Sequence, residues 1–195
     1  LPSEPIILAF DTSAAHCAAA LLRGDQIITS HVESMSRGQA ERLMPLLEEV
    51  LAEAECTWGD LSAVGVGVGP GNFTGIRISV SAARGLALGL GIPTVGVSGF
   101  DALAQDTEDA MPAIRAPREQ VYVTFPDQGP ALIPQAEAES LGTLILNDDP
   151  DAQVRAIARI AAQRWQTSPE RPAPLYVRPA DAAPSKDTPP VLLDG

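Results

Sequence analysis

Basic charge is what this sequence has least of. Only Lys186 is a lysine among 13 basic residues, against 25 acidic ones, and the 195-residue chain carries a formal charge of −12 at pH 7. Nucleic-acid affinity rests on clustered cations that neutralise phosphates, so autonomous nucleic-acid binding is not expected, although one arginine-lined surface can still help a basic partner. Metal ligands are as sparse. Cys17 and Cys56 have no metal-like spacing, and His16 and His31 form neither a ligand pair nor part of a His/Cys/carboxylate cluster, so no transition-metal site is expected. No charged segment followed by a cleavable apolar stretch opens the sequence, which makes a reduced cytoplasm the expected setting. Long hydrophobic runs are missing too: residues 14–22, interrupted by His16, are strand-sized and too short to span a bilayer. What is there is 45% hydrophobic content and 18 prolines, enough to bury a core with some irregular loops.

The hydropathy pattern orders the chain. Residues 6–10, 17–22 and 26–32 are short apolar runs, the last two separated by the turn pair Gly24-Asp25, and predict an antiparallel meander. From Arg37 the period becomes helical: Leu43, Leu46, Leu47, Val50, Leu51 and Ala54 form one stripe with acids between, and Pro45 must kink this helix or break it near its first turns. Residues 62–68 predict a strand, 74–90 a helix, 92–97 a strand and 100–107 a short helix. The order is therefore β-β-β-α-β-α-β-α. Strands at 121–125 and 143–146 and a helix over 151–165 follow, with Val154, Ile157, Ala158, Ala161 and Trp165 on one helical face. Beyond Ser168 the chain is proline-rich and is expected to be extended, apart from the segment 174–178, which has the composition to dock.

Residues 64–79 read V-G-V-G-V-G-P-G-N-F-T-G-I-R-I-S, a strand running through a glycine turn into a helix. A helix N-terminus offers free N–H groups and a dipole that favour an anion. The loop has no lysine for a Walker pattern, and Thr74 stands where a dinucleotide loop needs its last glycine. Thr74 is read as the N-cap, which puts Arg77 in the first turn, where a cation opposes the dipole and so points to an acid or anion facing it. Two readings stay open: a structural turn with Arg77 on a carboxylate, or a functional anion site. Asp11-Thr12-Ser13 likewise suits either a turn cap or the metal-facing Asp and phosphate-turn hydroxyls of an actin-like nucleotide site. The sequence Gly96-Val97-Ser98-Gly99-Phe100 lacks the last glycine of a nucleophile elbow, and both histidines lie in the meander, so a serine hydrolase is not supported. On the 74–90 helix, Ser81, Gly85 and Gly89 make one line of small residues, while Ile76, Val80, Ala83 and Ala87 make a second line that would face the sheet. Internal packing and an intermolecular helix pair are both open.

Assembled, these stretches resemble the TsaB (YeaZ) family, a bacterial tRNA threonylcarbamoyladenosine biosynthesis subunit. The resemblance rests on Ile7-Leu8-Ala9-Phe10-Asp11-Thr12-Ser13, on Arg42-Leu43-Met44-Pro45-Leu46-Leu47 and above all on Gly69-Pro70-Gly71-Asn72-Phe73-Thr74-Gly75-Ile76-Arg77. It continues in Ala83-Arg84-Gly85-Leu86-Ala87 and Gly96-Val97-Ser98, and returns at Pro174-Leu175-Tyr176-Val177-Arg178. It covers the first hundred residues well and the rest in patches. It implies an α/β, actin-like fold of the acetate and sugar kinase type, with two RNase H-like lobes: residues 1–103, and a shortened second lobe, 104–195, with a C-terminal helix and a proline-rich tail. One departure is Ile114-Arg115-Ala116-Pro117, where the family pattern has Asp in place of Arg115.

The resemblance implies assembly rather than catalysis. The catalytic relative, TsaD, holds a metal through an H-x-x-x-H pair whose positions here are Gly99 and Leu103, so the expectation is no catalytic residue, no metal and no cofactor. This chain would be a scaffold that binds TsaD through a helix bundle, with interface candidates Leu43, Leu46, Leu47, Leu51, Arg77, Ser81, Gly85 and Gly89. TsaE, an ATPase, would join the assembly. Contact with tRNA would occur only within the complex, an exposed apolar helix face would permit a homodimer when the chain is alone, and no membrane is involved. Asp11, Thr12, Ser13, Gly69, Gly71, Asn72 and Thr74 would be a vestigial nucleotide site, with ATP binding weak or absent. The alternative is an active ATP-dependent kinase or acyltransferase of the same fold; a glycoprotease reading has no nucleophile-base pair to support it.

Overall fold

The first two strands are apolar on both faces, so the pleat of each strand decides which of two layers a side chain enters. In the computed structural model, which describes residues 4–105, 109–167 and 171–177, β1 (Ile6–Asp11), β2 (His16–Arg23) and β3 (Gln26–Ser34) form the antiparallel meander. β4 (Ala63–Gly67) then pairs parallel to β1, and β5 (Thr94–Val97) parallel to β4, giving the order β3-β2-β1-β4-β5. Successive side chains on a strand point to opposite faces. Leu8 and Phe10 accordingly join a core under α1 (Gln39–Glu53) and α2 (Phe73–Leu90), while Ile7 and Ala9 join a separate core on the other face.

That second core is covered by α5 (Pro150–Arg164), whose Val154, Ile157, Ala158 and Ala161 are buried against it. The sequence groups this helix with the second lobe, whereas the fold returns it to the first sheet. The helix face is rich in alanine, and Gly65 of β4 lets it approach: a Cβ there would lie 2.8 Å from the Ala161 methyl. Helical periodicity shows that a face is apolar, but the partner of that face is set by the path of the chain.

Between the two visits to the first sheet lies a smaller one. After α3 (Gly99–Ala104), β6 (Met111–Ala116), β7 (Gln120–Phe125) and β8 (Gly129–Pro134) form a second meander, α4 (Gln135–Leu141) follows, and β9 (Leu144–Leu146) pairs parallel to β6. The order β8-β7-β6-β9 repeats that of the first four strands of the larger sheet. This is the ordering of an RNase H-like lobe, and the pair gives the actin-like α/β architecture with a shortened second lobe. β6 and β8 escape the sequence reading, since Pro112 and Pro130 interrupt weak apolar patterns that pairing to β7 rescues, and α4 escapes it as a seven-residue helix with one buried residue, Ala138.

Helix α1 runs without a break through Pro45. The missing N–H would have bonded the Glu41 carbonyl, and both residues face solvent, where water can satisfy that oxygen. Among the described residues no helix is long and apolar enough to cross a membrane. The tail from residue 178 onward, including Arg178 of the docking segment, lies outside the described residues.

Candidate functional site

The loop after β1 and the loop after β4 converge at the carboxyl ends of two adjacent parallel strands, where β1 delivers Asp11. This side chain is 1% exposed, and its Oδ2 accepts hydrogen bonds from the Ser13 hydroxyl at 2.8 Å and the Gln153 amide at 3.3 Å. His16 Nε2 lies 2.8 Å from the same oxygen. Among the described residues, Asp11 Oδ1 and Gln153 Oε1 are buried without a protein partner. Asp11 therefore does more than cap a turn: it ties the start of β2 and the first turn of α5 to the end of β1. From sequence His16 is weighed only as a base or metal ligand, and Gln153 is not weighed at all. The available signal was a polar residue, Gln153, on the same helical stripe as Ile157 and Ala161.

The glycines of the second loop permit backbone contact. A Cβ on Gly75 would sit 1.9 Å from the Thr12 carbonyl oxygen, and one on Gly71 would sit 2.3 Å from that of Ser13. Thr12 Oγ1 donates to the Gly75 carbonyl at 2.6 Å, and the Asn72 N–H donates to the Ser13 carbonyl at 2.6 Å. The N-cap of α2 is Asn72, whose side chain accepts from the Gly75 N–H at 2.9 Å, and not Thr74, which is exposed in the first turn. Thr12 and Ser13 hydroxyls, the Asn72 N–H and the Gly75 N–H, the groups a phosphate would take, are thus engaged within the chain.

This earlier start moves Arg77 into the second turn, where, among the described residues, its partners are aromatic side chains and not a carboxylate. Its Nε donates to the Tyr176 hydroxyl at 2.8 Å, and its guanidinium carbon lies 3.9 Å from the Phe73 ring centroid. A cation on an aromatic face is held by the ring quadrupole, which answers the conflict with the helix dipole. Phe73 was not weighed as a functional residue because one exposed aromatic gives no periodic signal.

At the positions of the absent imidazole pair, Gly99 and Leu103 are buried in apolar surroundings. A Cβ on Gly99 would come within 2.8 Å of Ile114 Cδ1, and Leu103 packs with Phe100 and Ile114. No group of three His, Cys, Asp or Glu residues is placed to hold a metal among the described residues. Arg115, where the family pattern has Asp, pairs through Nε and Nη2 with Asp148, the latter contact at 2.8 Å, and so clamps β6 to the loop after β9. That hydrogen bond holds the Asp148 carboxyl below its ordinary pKa.

The helix faces divide differently from expectation. Leu43, Leu46, Leu47 and Leu51 are at most 3% exposed and belong to this chain's own core, so they are not available to a partner. The outer face of α1 presents Met44, Glu48 and Glu49 instead. On α2, Ile76, Val80 and Ala83 are buried beneath it and Ala87 is half-buried. Ser81, Arg84, Gly85, Leu88 and Gly89 are exposed, Leu88 to 85%, and a Cβ on Gly85 or Gly89 would meet nothing within 4 Å. This small-residue line faces outward.

Residues 26–140 match the family model described as TsaD: tRNA N6-adenosine threonylcarbamoyltransferase. An uncharacterised protein of Mycobacterium tuberculosis is 32% identical over 198 residues, covering 91% of this chain and 94% of that one. The tRNA threonylcarbamoyladenosine biosynthesis protein TsaB of Escherichia coli is 38% identical over 99 residues, 51% of this chain and 42% of that protein. YeaZ from Pseudomonas aeruginosa superposes with a TM-score of 0.71 at 27% identity, covering 89% of this chain and 100% of that chain. The chain belongs to the TsaB (YeaZ) family. Against the curated relatives that carry the TsaB name, the match spans about half of their length, from 42% to 58%. The whole of the solved YeaZ chain, by contrast, is covered, so both sheets have counterparts in a TsaB-type fold.

Proposed function

We propose that this chain works in tRNA threonylcarbamoyladenosine biosynthesis as a non-catalytic scaffold, binding and supporting TsaD while that subunit modifies the adenosine beside the anticodon of ANN-reading tRNAs. The observation that carries the reading is the outer face of α2. Gly85 and Gly89 leave a shallow track beside Leu88, flat enough for another helix backbone to approach and uncovered by any of the described residues. Leu43, Leu46, Leu47 and Leu51 drop out of the interface, Arg77 is engaged by Phe73 and Tyr176 instead, and Met44 of α1 joins Ser81, Gly85 and Gly89. The apolar surroundings of Gly99 and Leu103 support a role without metal chemistry. The engaged hydroxyls and N–H groups between residues 11–13 and 69–75 support weak or absent ATP binding. TsaE joins through the assembled pair, and tRNA is met there. A homodimer formed by the same face is the expected state of the chain alone.

The test is sedimentation of the chain alone and mixed with TsaD from the same organism. A heteromeric species that forms as the homodimer dissolves is expected, and Gly85→Leu and Met44→Glu should each weaken it about tenfold or more, the effect of filling or charging an interface core. Wild-type association left unchanged by both variants would place the interface elsewhere. Saturable ATP binding in calorimetry, or turnover by the isolated chain, would favour an active kinase or acyltransferase.

A further inference from the structure

A cleft of about 330 Å³ opens where the turn after β4, the first turn of α2, β7 and the docked segment 171–177 meet, lined by Pro70, Gly71, Phe73, Tyr122, Leu175 and Tyr176. Three aromatic side chains share this cleft in a chain that is only 4% aromatic. Phe73 and Tyr176 remain 52% and 46% exposed, with ring centroids 5.0 Å apart and planes inclined by 31°. Arg77 fixes the pair from one side, and the Leu175 N–H anchors the segment to the Val68 carbonyl at 2.8 Å. The rings are thus held in place while about half of each faces water.

Charge identifies the occupant. No acidic residue occurs between Leu61 and Phe100, although the whole chain carries −12. Arg77 and Arg84 are both exposed on α2, two turns or about 10.5 Å apart along its axis. Aromatic faces beside arginines stack unpaired bases and hold the neighbouring phosphates, and single-stranded loops are where RNA offers such bases. We infer that this cleft is a stacking site for one unpaired base of an RNA, with Arg77 and Arg84 on the flanking phosphates. The choice of tRNA as that RNA rests on the proposed function; the stacking chemistry does not. One base and two phosphates make a weak site, consistent with a chain too acidic to hold a duplex alone.

The probe is an RNA hairpin with 2-aminopurine in an unpaired purine loop, titrated against the full chain with and without TsaD; stacking quenches its fluorescence. Saturable quenching is expected, with affinity falling about fivefold or more in Phe73→Leu and Tyr176→Leu, the smaller effect of losing one stacked base. Tyr176→Phe keeps the ring and should retain binding, while Arg84→Gln should lower the salt dependence. Equal affinity for a fully paired duplex, unchanged binding by both leucine variants, or displacement of the hairpin by AMP at lower concentration than by unlabelled hairpin would each overturn the inference. TsaD association is followed by sedimentation in the same samples. Association without quenching sinks the stacking site alone, and quenching without association sinks the scaffold reading alone.

Discussion

Asp11 carries more of the structure than its place at the end of a strand implies. Its buried carboxylate accepts from Ser13 and Gln153 and lies against His16, so it links three elements through one oxygen. Removing it leaves buried donors unpaired, and Asp11→Ala should cost roughly 2–4 kcal/mol in urea unfolding, within the range for breaking buried charged networks. The neighbouring thiol is buried as well. Burial first, then the Glu33 charge, pushes the pKa of Cys17 up to about 11, with Arg42 opposing. The thiolate is the reactive form, so Cys17 should stay unlabelled by a thiol reagent at pH 8 in the folded chain and react once denatured.

At the scale of elements, glycines in one helix have opposite meanings. Gly75 touches the Thr12 backbone, so Gly75→Ala must push two loops apart and should destabilise by about 1–3 kcal/mol, as overpacking does. Gly85 faces open space in the interior of the same helix, and Gly85→Ala should stabilise the free chain by about 0.5–1 kcal/mol through helix propensity. Thermal or urea melts of the two variants should move in opposite directions. Between β3 and α1, Arg42 bonds Glu33 and Glu49 and holds both carboxyls below their ordinary pKa. Carboxyls depressed in the folded state stabilise above their unfolded pKa and lose that contribution as pH falls through the folded values. The Tm difference between wild type and Arg42→Gln should therefore shrink as pH drops below about 4.3, the ordinary value for Glu.

The whole molecule is closed by its last described helix. α5 covers Ile7, Ala9, Ala18, Ala20 and Leu22, which would otherwise face water on the back of the first sheet. A fragment ending at Gln105 contains every strand of that sheet yet lacks this cover. It should show no cooperative unfolding transition by circular dichroism, whereas the full chain should. A cooperative transition in the fragment would mean that the sheet needs α5 only as an accessory.

Much of this was written in local sequence. Short apolar runs and the turn pair Gly24-Asp25 gave the first meander, and the stripe from Leu43 to Ala54 gave α1, because both signals act over a few residues. The G-P-G-N-F-T-G-I-R segment, together with the stretches at 7–13 and 42–47, pointed to the family and to a loop followed by a helix. Proline-interrupted β6 and β8 were not legible, since their pairing to β7 is what defines them. Tertiary structure alone decided that the α1 leucines serve this chain's core, that Asn72 caps α2, and that Arg77 rests on Phe73 and Tyr176. It also decided that α5 returns to the first sheet and brings Gln153 to Asp11, 142 residues away. Periodicity states that a face is apolar or a residue charged; only the path of the chain supplies the neighbour, and the neighbour decides between core, cap and site.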